Sequence, residues 1–244
     1  TAGGSPTAAL AADLHLPASD LPVGQYQLDI QAIGAGDSVL AQATARLRRL
    51  ARAPGTEVRV DHRGNILVDG QPRLFIGWYG DLPVDDPRPE VLALQNLVTP
   101  VVLPGVEPAD LQQVRDLYRQ HGVYSIVSIE PGRLYHTFRL YQQPEGRSLA
   151  DEIKHLSAPS AAMREMLARL VAAVAAEPGV LGYYLADEPE INDARAEYLE
   201  AVYALMQELD PYRPVLLTND SLDGIVTHGY RACDILSPDP YSPA

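Results

Sequence analysis

An α/β fold built on a parallel sheet is predicted by three features of this sequence. From residue 74 onward, short apolar and β-branched runs alternate with helical patterns, the strand–helix–strand order of a sheet covered by helices. Almost every run ends in polar or aromatic residues: Trp78–Tyr79–Gly80–Asp81, Glu130, Asp187–Glu188, Asn219–Asp220 and Asp239–Tyr241. Neither GxGxxG nor GxxxxGK[ST] occurs, which weakens a nucleotide-binding fold. A doubly wound sheet and a TIM (β/α)8 barrel share the repeat, but functional residues at the tips of many strands favour the barrel. Six such runs can be counted where a barrel needs eight, so the expectation is a barrel incomplete at its C-terminus.

The elements follow in order. Residues 1–20 are rich in Ala, Gly, Ser and Pro and show weak periodicity. Val23–Ile33 alternates, with Tyr26, Leu28 and Ile30 on one face and Gln25, Gln27, Asp29 and Gln31 on the other. Gly34–Ala35–Gly36–Asp37 turns the chain into a second alternating run, Val39–Leu50, and the pair reads as a β-hairpin. A lone hairpin is marginal in water, so this one needs partners. Pro54–Gly55 marks a boundary, giving segments 1–53 and 54–244.

Val58–Val60 and Ile66–Val68 form a smaller hairpin around Asp61–His62–Arg63–Gly64–Asn65. The strand-like runs of the repeat are Leu74–Tyr79, Leu97–Leu103, Tyr124–Ile129, Val180–Leu185, Val215–Thr218 and Ile235–Leu236. Helical patterns lie between them: a short one at Pro89–Gln95, then Ala109–His121 with Gly122 as its C-cap, Ala161–Glu177, Ala194–Leu209 and a weak one over 221–230.

Composition narrows the function. The chain has 244 residues, 46% of them hydrophobic, enough for one large domain or a large and a small one. A formal net charge of −13 argues against nucleic acid as a partner, because a phosphate backbone requires clustered Lys and Arg. The short basic group Arg46–Leu47–Arg48–Arg49 reads as a solvated strand edge. No apolar run approaches the length of a membrane span. Thr1 in place of Met suggests a processed product or an excised fragment, and the N-terminus lacks a signal-peptide pattern. Cys233 is the single cysteine and reads as a core thiol.

The sharpest chemical candidate is Gly182–Tyr183–Tyr184–Leu185–Ala186–Asp187–Glu188–Pro189, an apolar run that ends in two carboxylates and a proline. An apolar pocket formed with Tyr183, Tyr184 and Trp78 would desolvate Glu188 and raise its pKa toward general-acid work. Alternatively, Asp187 and Glu188 are first-turn acids favoured by a helix dipole. Asp187 could orient substrate, Glu130 could wall the site, and Asn219 and Asp239 end later strands. Trp78 and Tyr79 could stack on a flat apolar ligand face, and Tyr241 could steer a carboxylate. Paired carboxylates favour glycoside hydrolysis, which needs two acids about 5 Å apart for retention or roughly 6.5–9.5 Å apart for inversion. The six histidines show no HxH or HExxH spacing and there is no GxSxG, so neither a metal nor a serine nucleophile is expected. No cofactor is expected either.

These residues resemble a known group, the retaining glycoside hydrolases of the β-galactosidase/β-glucuronidase/mannanase-like superfamily. Their TIM barrel carries the acid/base glutamate after strand 4. Gly182–Pro189 is similar to that strand and Glu188 matches the acid/base; most members have Asn before it, on the sugar 2-hydroxyl, where this chain has Asp187. Val60–Pro72 resembles the hairpin that leads into strand 1, and Leu21–Leu50 resembles the last strands of a preceding β-sandwich domain. Ser237–Pro238–Asp239–Pro240–Tyr241 resembles the end of strand 6, with Tyr241 matching a residue near the nucleophile. The resemblance spans about residues 21–244 and implies a sandwich remnant at 1–53 and barrel strands 1 to 6 at 54–244. It also implies a carbohydrate substrate, an extracellular or periplasmic setting, and a nucleophile on a C-terminal segment beyond residue 244. A carbohydrate-binding or structural module that has lost catalysis is the alternative; a metal-dependent or sugar-isomerising barrel would need converging histidines and acids.

Overall fold

The computed structural model describes residues 17, 20–79, 95–131 and 151–239, the Trp78 side chain excepted. The chain divides into two units, Thr1–Ala53 and Pro54–Ala244. In the first, β1 (Gly24–Ile33) pairs antiparallel with β2 (Val39–Arg49), from Gly24 opposite Arg49 to Ala32 opposite Ala41. The connecting turn runs through Gly36 at φ 71°, a left-handed conformation that glycine adopts without strain. Tyr26 and Leu28 are half-buried while Gln25, Gln27 and Asp29 are exposed, as the alternation predicts, but Ile30, expected on the same face as Tyr26, is exposed. Among the described residues no third strand joins this hairpin.

The second unit opens with a small antiparallel sheet of β3 (Val58–Val60), β4 (Ile66–Val68) and β5 (Gln71–Pro72). The Asp61 carboxylate organises its turn by accepting from the backbone N–H of Arg63 at 2.8 Å and of Asn65 at 2.9 Å. The main sheet has six parallel strands: β6 (Gly77–Tyr79), β7 (Leu97–Val101), β8 (Tyr124–Ser128), β9 (Val180–Asp187), β10 (Val215–Asn219) and β11 (Ile235–Pro238). Helices α1 (Gln112–His121), α2 (Glu152–His155), α3 (Ala161–Val174) and α4 (Ala196–Leu209) make the crossovers. The short α5 (Leu222–Gly224) and a π-helical turn at Ile225–Gly229 link β10 to β11. The helix expected at Pro89–Gln95 falls mostly outside the described residues.

Each strand of this sheet lies beside its predecessor, in the order β6-β7-β8-β9-β10-β11. A doubly wound sheet reverses its strand order at a switch point, and this one does not. Right-handed crossovers in a single direction place their helices on one face. The core has that form. Val127, Tyr183, Leu185, Val215 and Leu217 pack in one cluster with Val114 of α1, Leu167 and Leu170 of α3, and Leu199 and Val202 of α4. A second cluster joins Tyr124, Ile126, Leu181 and Tyr184 of the sheet to Val58 and Val68 of the small sheet; among the described residues, α1 reaches its edge through the half-buried Tyr118. With both faces covered, the strands are nearly continuous apolar runs.

Local signals set the helix limits. The Ser160 hydroxyl accepts from the Met163 N–H at the start of α3, and Gly122 at φ 67° ends α1. One strand is shorter than its apolar run suggests. Leu74–Ile76 lies outside β6 because the Asn96 side chain bonds the Leu74 carbonyl and the Ile76 N–H, both at 2.8 Å. Leu74 and Ile76 are accordingly exposed.

Candidate active site

The C-terminal end of β9 carries an irregularity that shapes everything around it. Leu216 of β10 stands opposite Tyr184, but Thr218 stands opposite Asp187, so β9 contains one extra residue there. Such a bulge re-aims the side chains beyond it. Tyr184 and Asp187, three positions apart, meet: the Tyr184 hydroxyl donates to Asp187 Oδ1 at 2.8 Å. Burial above all pushes the Tyr184 phenol far above its ordinary range, so it stays a donor.

Tyr79, at the end of β6, donates to Asp187 Oδ2, and its hydroxyl lies 3.2 Å from that of Tyr184. The two rings are tilted, with centroids 6.0 Å apart. β6 and β9 are separated by two intervening strands. In a flat sheet, strands about 4.8 Å apart would keep these side chains roughly 14 Å from each other. The sheet is therefore strongly curled, and its concave face gathers the tips of β6 and β9.

Glu188 follows directly. It is half-buried and adopts φ 42°, in the left-handed region that non-glycine residues rarely occupy. Its N–H still bonds the Thr218 carbonyl at 2.9 Å. Its own carbonyl accepts from the Ile191 N–H at 3.2 Å and from Asn192 Nδ2 at 3.1 Å. Asn192 Nδ2 also bonds the Asp187 carbonyl, at 3.0 Å. A residue held this way costs on the order of 1–3 kcal/mol and persists where its surroundings over-determine it, most often at functional sites.

Glu190 escaped the sequence reading. Its carboxylate accepts from Asn219 Nδ2 at 2.8 Å and from the Asp220 N–H at 2.9 Å. Longer bonds come from the Ser221 N–H at 3.3 Å and the Ser221 hydroxyl at 3.4 Å. Burial works to raise this carboxyl, but hydrogen bonds from its own backbone, Asn219 and Asp220 prevail and hold it below the ordinary carboxylate value. The adjacent Asp220 moves the other way, raised first by hydrogen bonding to Glu190 and then by burial. The only sequence signal was a second glutamate after Pro189; its partners lie about thirty residues downstream.

The remaining expected residues are spread more widely. Asn219 is 1% exposed and gives its amide to Glu190. Asp239 is exposed, and its N–H bonds the Asn219 carbonyl at 2.8 Å. Glu130 is half-buried just beyond β8, its N–H 3.4 Å from the Ser128 hydroxyl. Trp78 stands in register with Val98 on β7. Tyr241 lies outside the described residues. The structure thus joins Asp187 and Tyr79, with Tyr184 as a third member, next to Glu188. Among the described residues, no group of three or more His, Cys, Asp and Glu could hold a metal ion, and no helix is long and apolar enough to cross a membrane.

No protein-family model matches the chain, and no curated protein matches it. Solved structures similar to it include β-glucuronidases. That of Dictyoglomus thermophilum is 17% identical with a TM-score of 0.46, the match covering 89% of this chain and 36% of that one. The enzyme of Parabacteroides merdae is 14% identical at a TM-score of 0.42, covering 89% of this chain and 25% of that one. β-Glucuronidase 2 of Bacteroides uniformis is 14% identical at a TM-score of 0.46, covering 89% and 26%. The chain therefore spans between a quarter and about a third of the length of these enzymes.

Proposed function

We propose that this chain carries the acid/base side of a retaining glycoside hydrolase site, with Glu188 as the general acid/base. The observation that carries this reading is the meeting of Tyr79 and Asp187 across three strand steps. It brings the tips of β6 and β9 to one concave edge and sets Glu188 beside a carboxylate fixed by two phenols. A singly wound, curled parallel sheet is also what a (β/α)8 barrel requires, and active sites of such barrels sit at the C-terminal strand ends. Completion of the barrel falls to a C-terminal segment from the same polypeptide or a second fragment. The hairpin of the first unit belongs, on this reading, to a β-sandwich domain.

In the first step Glu188 donates its proton to the glycosidic oxygen as a carboxylate outside this chain attacks the anomeric carbon. The carbon–oxygen bond to the leaving group breaks and a glycosyl ester forms. In the second, Glu188 removes a proton from water, whose oxygen displaces the ester and restores the free carboxylate. Asp187 and Tyr79 contact the sugar. The substrate is a polysaccharide or glycoconjugate met outside the cytoplasm.

The test is turnover of aryl glycosides by the full-length protein and its Glu188→Gln variant. Loss of general-acid assistance should lower kcat/KM about 10²–10⁴-fold on a poor leaving group. Equal turnover by the two proteins would sink the reading. Sugar binding without turnover by the wild type would point instead to a non-catalytic carbohydrate-binding module.

A further inference from the structure

Glu190 is bound where its only evident product is the shape of the segment before it. Four bonds that its carboxylate accepts come from residues 219–221, at the tip of β10 and the start of α5. The site suits an acceptor: an ionised carboxylate offers lone pairs only, and the Asn219 amide, two backbone N–H groups and the Ser221 hydroxyl are turned toward it, with the Asp220 carboxyl alongside. Space is reserved for it as well, because a methyl group on Gly224 would overlap Glu190 Oε1. Glu188 lies two residues earlier, across Pro189, at φ 42°. Its N–H bonds the Thr218 carbonyl at the end of β10. A left-handed glutamate persists where its surroundings over-determine it, and the segment on its C-terminal side is part of those surroundings.

We infer that Glu190 is a positioning residue: seated on the tip of β10, it pins the loop 187–192 and so holds Glu188 in its left-handed conformation at the concave strand edge. The inference rests on the reading of Glu188 as the acid/base, but its structural half can be measured without turnover. The acting group is the Glu190 carboxylate, which touches no substrate; it acts through the backbone on the direction in which Glu188 points. Asn192 serves the same end from within the loop, by bonding the carbonyls of Asp187 and Glu188 together.

The experiment uses the full-length protein and the variants Glu190→Ala, Glu190→Gln and Glu188→Gln. In crystals of Glu190→Ala, Glu188 should relax to negative φ. On phenyl glycosides its kcat/KM should fall about 100-fold, the scale expected for a displacement of roughly 1 Å. On 2,4-dinitrophenyl glycosides, whose leaving group needs no proton, kcat/KM should change little. Glu190→Gln should recover part of the loss, since its amide oxygen still accepts from Asp220 and Ser221 and the Asn219 amide can flip to accept from its nitrogen. Retention of the left-handed Glu188 in Glu190→Ala would overturn the inference. So would an equal loss on both leaving groups, which is what a general weakening of the fold produces. If Glu190→Ala does not fold, the same two measurements on Glu190→Gln decide the matter. A relaxed Glu188 in a protein whose Glu188→Gln variant turns over normally would leave the positioning role standing and end the hydrolase reading.

Discussion

The two ends of β9 and β10 handle charge in opposite ways. At the N-terminal end, Arg213 is fully buried and every bond it donates is answered. It meets Asp210 at 2.9 Å, the Val180 carbonyl at 3.0 Å and the Ala175 carbonyl at 2.8 Å. The Tyr183 hydroxyl adds a further bond to Asp210 at 2.7 Å, and nearby Arg115 grips Glu177 through two nitrogens. At the C-terminal end, acids gather instead: Asp187 and Glu188 on β9 and its loop, Glu190 beside Asp220. Asp187 accepts from phenols, and Glu190 from amides and a hydroxyl. Adjacent tyrosines divide between the two: Tyr183 bonds the acid of the charge pair and Tyr184 the acid at the end of β9. One end encloses its charges in a buried pair; the other holds its acids on neutral donors.

The largest expected effect tests the closed end. Arg213→Ala strands the Asp210 charge in the interior and should cost about 3–5 kcal/mol, measured by urea unfolding. Turnover per folded molecule should be unchanged; a variant that stayed fully stable would break the contrast. Gly182→Ala comes next. A Cβ there would lie 2.5 Å from the Pro214 carbonyl oxygen on the neighbouring chain segment, and the forced shift should cost about 1–3 kcal/mol.

The tyrosine pair sharpens the comparison directly. Tyr183→Phe removes one hydrogen bond to a buried acid and should cost about 1–2 kcal/mol while leaving turnover alone. Tyr184→Phe removes the phenol's bond to Asp187 Oδ1 and should cost no more than about 1 kcal/mol, yet alter kcat/KM. If both variants moved stability and activity in parallel, the division between the two ends would be lost.

What could be read from the sequence follows the same division. The sheet was legible because buried parallel strands are apolar throughout, and each apolar run is bounded by Gly, Pro or a charged residue. Helices α3 and α4 were legible from their periodic stripes. Asp187 and Glu188 stood out because two carboxylates break an apolar run. The bulge did not, because an extra residue in β9 exists only relative to its pairing with β10. Glu190 was hidden for the same reason, its partners being distant in sequence. Leu74–Ile76 misled by composition: its residues suit a strand, but the side chain of Asn96 takes the polar groups a neighbouring strand would have taken.

Acid should separate the two members of the Glu190–Asp220 pair. Glu190 is depressed below its ordinary 4.5, so the stability it contributes is complete above that pH and is lost as pH falls through its folded value. Asp220 is raised above 3.8, so its contribution is complete below that pH and is lost as pH rises through its folded value. The two slopes oppose each other in the wild type. Glu190→Gln should therefore flatten the fall of the urea midpoint below 4.5, and Asp220→Asn should steepen it. The same slope in all three proteins would show that Glu190 is not held ionised by its donors.

The smallest effect belongs to an ion pair at neither end. Arg231 and Glu200 approach to 3.4 Å with side chains 71% and 39% exposed. Water screens both charges, and holding two long side chains together costs much of what their attraction returns, so Arg231→Ala should change stability by no more than about 0.5 kcal/mol. It carries the same formal charges as Arg213 and Asp210, which makes it the control for them. If it cost as much as the buried pair, charge pairing alone would explain the closed end. A difference of several kcal/mol between the two arginines would assign that cost to burial: the penalty lies in leaving the Asp210 charge without its cation, and the carbonyls around Arg213 without its donors, where water cannot replace them.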